Sequence, residues 1–137
     1  MNAKPDAGPE VTPFLMFTGQ AEEAMNFYVG LFENSSVLSL KRYGPGQPGR
    51  EGTVQLAIFA LNGRTFKCID SPAVHEFSFT PSISFFVTSS DEAKVTRYFE
   101  ALVKDGKVFM ALGEYPFSRR FGWLQDRFGV SWQISAQ

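Results

Sequence analysis

Tyr115-Pro116-Phe117-Ser118, followed by Phe121-Gly122-Trp123-Leu124-Gln125-Asp126-Arg127-Phe128-Gly129-Val130-Ser131-Trp132-Gln133-Ile134, decides the reading of this chain. The run predicts two strands joined by a tight turn. Asp126 suits the first turn position, where its side chain can bond its own backbone, and Gly129 suits the last, where φ turns positive. Beyond the turn the pattern alternates. Val130, Trp132 and Ile134 point one way, and Ser131, Gln133 and Ser135 point the other. One face is core. The other presents small hydroxyls and an amide, and function is sought there.

Outward from this hairpin the chain reads as a duplication. Val11 to Phe17 predicts a strand, and Thr18 is the expected N-cap of a helix with Glu22 and Glu23 in its first turns. Ala24, Phe27, Tyr28, Leu31 and Phe32 give that helix its apolar stripe, and Asn34 ends it. Val37 to Tyr43 is a strand, Gly44 to Gly49 a loop, and Thr53 to Leu61 and Thr65 to Asp70 a hairpin about Asn62-Gly63. A connector with Pro72 and the single histidine, His75, leads to Pro81. Ser82 to Thr88 predicts the next strand, and Ser89 with Glu92 a capping box. Val95, Tyr98, Phe99 and Leu102 mark the second helix, Lys107 to Met110 a short strand, and the quoted hairpin closes the chain. Each half is strand, helix, strand, strand, strand. Each half therefore makes a sheet that its one helix covers on one face only.

Composition narrows the class. The 137 residues are enough for one domain with a substantial core, and 15 Phe make that core aromatic. A net charge of −1 gives no electrostatic case for nucleic acid or anionic membrane. Cys68 has no second cysteine to pair with, which suits a reducing cytoplasm. No apolar run approaches the roughly 20 residues of a membrane helix. Residues 1–10 carry Pro5, Gly8 and Pro9 without an apolar core, and are expected to be a loose tail rather than a signal peptide.

The chain resembles the PhnB-like proteins of the glyoxalase/bleomycin-resistance/extradiol dioxygenase (vicinal oxygen chelate) superfamily, whose members are often labelled 3-demethylubiquinone 3-methyltransferases. The resemblance runs from about Val11 to Ser135. It rests on Thr12-Pro13-Phe14-Leu15, Ala21 to Tyr28, Phe59-Ala60-Leu61-Asn62-Gly63, Ser82-Ile83-Ser84-Phe85 and, above all, the C-terminal run. It implies an α+β, glyoxalase-like fold: two βαβββ modules, about 11–71 and 81–135, forming curled mixed sheets around a cleft in a single domain over 11–137. It also implies a homodimer.

Metal-dependent relatives carry His or Glu on the cleft face of the first and last strands of the modules. The matching positions here fall near Thr12 or Pro13, at Ser82 and at Gln133, with Asp70 at the end of the fourth strand. Hydroxyls and amides are poor ligands for zinc, nickel or iron. The expectation is therefore a cleft with no cofactor, a divalent metal staying open, that binds a small molecule on Ser82, Ser84, Ser131, Gln133 and Gln55, with Trp123 and Arg119 as further candidates. Such a protein would sequester a ligand, as resistance proteins of the superfamily do. The alternative is a metal-dependent lyase, isomerase or dioxygenase with atypical ligands. The methyltransferase label ranks last, because Gly44, Gly46 and Gly49 lie between two strands and not in a strand-to-helix turn.

The bland readings are set beside these. Trp132 shares the Val130/Ile134 face and should pack as core. Arg119 and Arg120 should lie in a loop at the cleft mouth, solvated or clamping an anion. Cys68 should be a buried, inert thiol, with Lys67 on the opposite face. His75 should be a surface histidine, Asp126 a turn former, and Glu114 and Tyr115 carry no more than a speculative acid–base role.

Overall fold

The computed structural model describes residues 8–137. The expected N-terminal tail falls partly outside them, and its described part, residues 8–10, is exposed and without regular structure. The chain divides into two units, with the boundary between Pro72 and Ala73.

The first unit contains β1 (Phe14–Phe17), α1 (Ala21–Leu31), β2 (Ser36–Arg42), β3 (Val54–Leu61) and β4 (Arg64–Asp70). Its open sheet has the order β1-β4-β3-β2, with β1 parallel to β4 and the other pairs antiparallel. Asn62 and Gly63 turn β3 into β4 with φ of 46° and 80°, the two positive values a type I′ hairpin needs. One row of this sheet joins Leu15, Cys68 and Ala57, all buried. With Phe17 and Phe59 it makes the face under α1, which buries Ala21, Ala24, Met25 and Tyr28 at helical spacing. Burying a side chain as large as Phe59 contributes about 2–3 kcal/mol.

The second unit contains β5 (Phe85–Ser89), α2 (Glu92–Val103), β6 (Lys107–Tyr115), β7 (Ser118–Gln125) and β8 (Ser131–Ala136). Its sheet repeats the plan as β5-β8-β7-β6, with β5 parallel to β8. The expected strand–helix–strand–strand–strand order thus holds twice. Leu124, Trp132 and Ile134 line the face under α2, whose buried stripe is Val95, Tyr98, Phe99 and Leu102. Gly122 lets the helix approach: a Cβ there would come within 2.5 Å of the Phe99 ring.

The opening hairpin turns as expected and is held more firmly than a turn requires. The Gly129 amide donates to the Asp126 carbonyl at 3.0 Å, and Gly129 takes φ of 95°. The buried Asp126 carboxylate also accepts from the amides of Phe128 and Val130 and from the Trp132 indole. Trp132 is core, 5.3 Å from Phe85.

Several local expectations are corrected. Thr18 does not cap α1: the N-cap residue is Gln20, with no side-chain bond. The amides of Gly19 and Ala21 instead donate to Asp70 Oδ1, at 2.7 and 3.0 Å. Ser89 and Glu92 form no capping box, because Ser89 is the last residue of β5. Asp91 caps α2, accepting from Ala93 and Lys94. The strand expected from Ser82 begins at Phe85, since residues 80–83 close a turn in which the Ile83 amide reaches the Thr80 carbonyl. The short strand expected over Lys107 to Met110 continues to Tyr115, and Arg119 and Arg120 lie within β7 and not in a loop.

Candidate functional site

Strand register places the chemistry on the face of the second sheet that α2 does not cover. Phe86 of β5 pairs with Gln133 of β8, which pairs with Trp123 of β7, so the Gln133 amide stands between two aromatic residues. The next residues on the same face of β8 are Ser131, paired with Gln125, and Ser135, paired with Phe121. Phe86 is 57% exposed, Trp123 and Gln133 are half-buried, and Ser131 is buried. Phe109 of β6 lies against Trp123 with ring centroids 5.0 Å apart.

Three of these side chains, Trp123, Ser131 and Gln133, form one network with Ser84, which precedes β5. Ser84 Oγ and Ser131 Oγ are 2.6 Å apart. The Trp123 indole N–H donates to Ser131 Oγ at 2.9 Å, and Gln133 Nε2 donates to Ser84 Oγ at 3.3 Å. Every member is uncharged. A hydroxyl offers one donor, and the serine pair shares one hydrogen bond, so one of the two O–H groups has no acceptor within the network. Gln133 likewise keeps its Oε1 and one N–H. The network thus joins four side chains and leaves one hydroxyl proton and part of one amide without a partner inside it.

Of the remaining predicted residues, Ser82 and Arg119 are not bonded to it. Ser82 is exposed in its turn and pairs with Thr80 Oγ1 at 2.7 Å. Arg119 donates to the Ser90 carbonyl at 2.9 Å and lies 3.5 Å from Glu92, so it ties β7 to the start of α2. Arg120 does the same through Thr96 at 2.6 Å. Gln55 belongs to the first unit, at an irregularity where Lys41 pairs with Leu56 and Arg42 with Val54. Its Oε1 is buried with no hydrogen-bond partner. Tyr115 donates to the Ala111 carbonyl, stacks on Phe117 and meets Phe121 edge-on. His75 is exposed in the connector, stacked on Phe77. Cys68 is buried, and desolvation with the nearby Asp70 charge pushes its thiol up to about 12, so it is unreactive at neutral pH.

Phe86 and Phe109 were missed from sequence. Phe86 alternates in phase with Ser84, a signal that would have placed it on the polar face. Phe109 gave no such signal, because β6 pairs irregularly with β7 on either side of Met110. Asp70 carries structural chemistry that its position at a strand end did not disclose.

The family whose profile matches residues 9–135 is described as 3-demethylubiquinone-9 3-methyltransferase. The chain belongs to this family. The PhnB protein of Bacillus cereus, whose structure bears the same label, is 51% identical over 94% of this chain and all of its own, with a TM-score of 0.92. A Pseudomonas aeruginosa protein shares the fold at 24% identity and a TM-score of 0.84, covering 95% of this chain and 98% of its own. A glyoxalase/bleomycin resistance protein/dioxygenase from Nocardioides shares it at 19% identity and a TM-score of 0.57, with 97% and 86% covered. The two βαβββ modules are therefore of the glyoxalase-like type. No curated protein matches the chain.

The side chains at the matching positions do not fit a divalent metal. Gln133 binds Ser84 through its amide, Ser82 faces solvent, and the Pro13 carbonyl accepts the Lys67 amide. Asp70 and Asp126 are buried and engaged by backbone amides. Among the described residues no group of three or more His, Cys, Asp or Glu side chains lies close enough to hold an ion. The glycines of residues 44–49 join β2 to β3, so they do not build the strand-to-helix turn that would cradle a nucleoside-type methyl donor. The first unit also has a pocket of about 420 Å³ lined by Thr12, Pro13, Arg64, Thr65 and their neighbours. It gathers none of the network residues.

Proposed function

We propose that this family member binds an uncharged small molecule on the open face of its second sheet, without a metal. The observation that carries the reading is the Ser84–Ser131–Trp123–Gln133 network. It is preorganised by its own hydrogen bonds, has aromatic surface on both sides, and retains hydrogen-bonding capacity toward a ligand. Binding here means sequestration or presentation of the ligand. The four members of the network include no nucleophile–base or acid–base pair of the kind a catalytic role requires.

A homodimer in the cytoplasm completes the proposal. Phe14 and Leu38 each expose more than half of their surface on sheet strands, area that a second copy would cover. Buried, unpaired Cys68 suits a reducing compartment, and no described helix is long and apolar enough to cross a membrane. Light scattering on the purified protein should give twice the 15.3 kDa chain mass.

The binding reading is tested by metal analysis, by melting with and without chelator, and by a thermal-shift screen. The expected results are substoichiometric metal, an unchanged melting point in chelator, and ligands whose affinity falls at least tenfold in Gln133→Leu. Tightly bound metal at one per chain overturns the metal-free reading, and unchanged affinity removes Gln133 from the site.

A further inference from the structure

The chemistry left over by the network specifies more than small size. With Nε2 on Ser84, the Gln133 amide offers an acceptor, Oε1, and a donor, the second N–H. These two groups lie in one plane, side by side on the carboxamide, on a side chain held at its other N–H. The Ser84–Ser131 pair adds one more O–H donor beside them. Phe86 and Trp123 flank Gln133 in the strand register, and Trp123 is fixed by its indole bond to Ser131 and by Phe109. An amide edge between two aromatic residues matches a flat ligand that carries its own amide edge.

We propose, on the basis of the binding reading above, that the ligand is an uncharged planar ring bearing a cis-amide edge, as in a lactam or cyclic imide. Its ring N–H donates to Gln133 Oε1, its carbonyl accepts from Gln133 N–H, and its ring lies against Phe86 and Trp123. A second carbonyl, where an imide has one, reaches the free serine O–H. The neutrality follows from the lining. A carboxylate or ammonium held on this network would lose hydration with no opposite charge in the network to offset it. A saturated, puckered ring would forfeit contact with the aromatic faces.

The probes are 2-quinolone, its N-methyl derivative and quinoline-2-carboxylate, titrated into the full chain at millimolar concentration. Two-dimensional nitrogen–proton NMR follows the Trp123 indole and Gln133 amide resonances. 2-Quinolone should shift both. N-methylation, which removes the donor and leaves Gln133 Oε1 facing a methyl group, should weaken binding about tenfold or more, and the carboxylate should bind more weakly still. Gln133→Met should bring the two neutral probes to equal affinity, with the amide spectrum confirming that the variant is folded. The N-methyl comparison on the unmodified chain stands even if that variant does not fold. Equal affinity of lactam and N-methyl lactam, preference for the carboxylate, or no shift by 2-quinolone overturns the amide-edge assignment. Of these, the first two leave small-molecule binding on this face intact. Only failure of every probe and of the thermal-shift screen removes both.

Discussion

The starts of the two helices solve the same problem in opposite ways. The first amides of any helix lack intrahelical partners and need acceptors. In the second unit the acceptor is local: Asp91 takes the amides of Ala93 and Lys94 from two and three residues away. In the first unit it comes from the far end of the module. Asp70, at the end of β4, takes the amides of Gly19 and Ala21 with one oxygen and that of Val54 with the other. Its own carbonyl accepts from the Tyr43 hydroxyl. The register shows why the units differ. Asp70 pairs with the last residue of β1, and the residue paired with the last of β5 is Ala136. The second unit has no carboxylate at that place and supplies one in the loop. A duplicated fold therefore repeats its strand order while redistributing the residues that hold it.

The difference is sharpest under substitution. Asp70→Ala strands two buried amides, those of Ala21 and Val54, and a part-buried one, that of Gly19, and should cost about 3–5 kcal/mol by urea denaturation, since each stranded buried donor costs about 1–3 kcal/mol. A loss near 1 kcal/mol would mean that Asp70 is no keystone and would erase the contrast. The next effect concerns the neighbouring position. The first sheet buries Cys68 beside Leu15 where the second pairs Ile134 with Val87. Because the folded thiol titrates near 12, above its ordinary 9.0, the folded state holds its proton where the unfolded state has released it. Stability from this source is complete below pH 9 and falls as pH rises toward 12. Denaturation midpoints should show a loss of about 2 kcal/mol between pH 9 and 10.5, from 1.36 kcal/mol per unit, which Cys68→Val removes. An identical alkaline loss in that variant would assign it elsewhere. The smallest effect is Asp91→Ala, which should cost about 1 kcal/mol, as an exposed N-cap does. A cost equal to that of Asp70→Ala would show that local and remote caps hold their helices alike.

The exposed faces differ as the helix starts do. In the first unit the candidate Gln55 has a buried oxygen without a partner. In the second, Gln133 donates to Ser84, which is bonded to Ser131 and through it to the Trp123 indole. Part of this was legible. The alternation of Val130 to Ser135 placed Ser131 and Gln133 together, and Ser84 followed from the phase of the strand before α2. Ser82 misled because Pro81 and the turn at residues 80–83 hold it off the strand. Arg119 and Arg120 misled because they follow a turn but continue β7, where their long side chains reach α2.

What the sequence determined by itself was everything that depends on near neighbours. Asn62-Gly63 and Asp126 to Gly129 set their turns through backbone angles and short side-chain bonds. Periods of two and of three to four residues set strands, helices and the face each buries. The ordered short motifs set the family. Tertiary structure alone decided which distant groups meet. Asp70 reaches an amide 51 residues away, Ser84 meets Ser131 across 47, and Gln133 meets Ser84 across 49. Those meetings depend on the registers of the parallel pairs β1–β4 and β5–β8. Such registers are set by how whole sheets pack under their helices, and a slip of one residue would turn every one of these side chains to the other face.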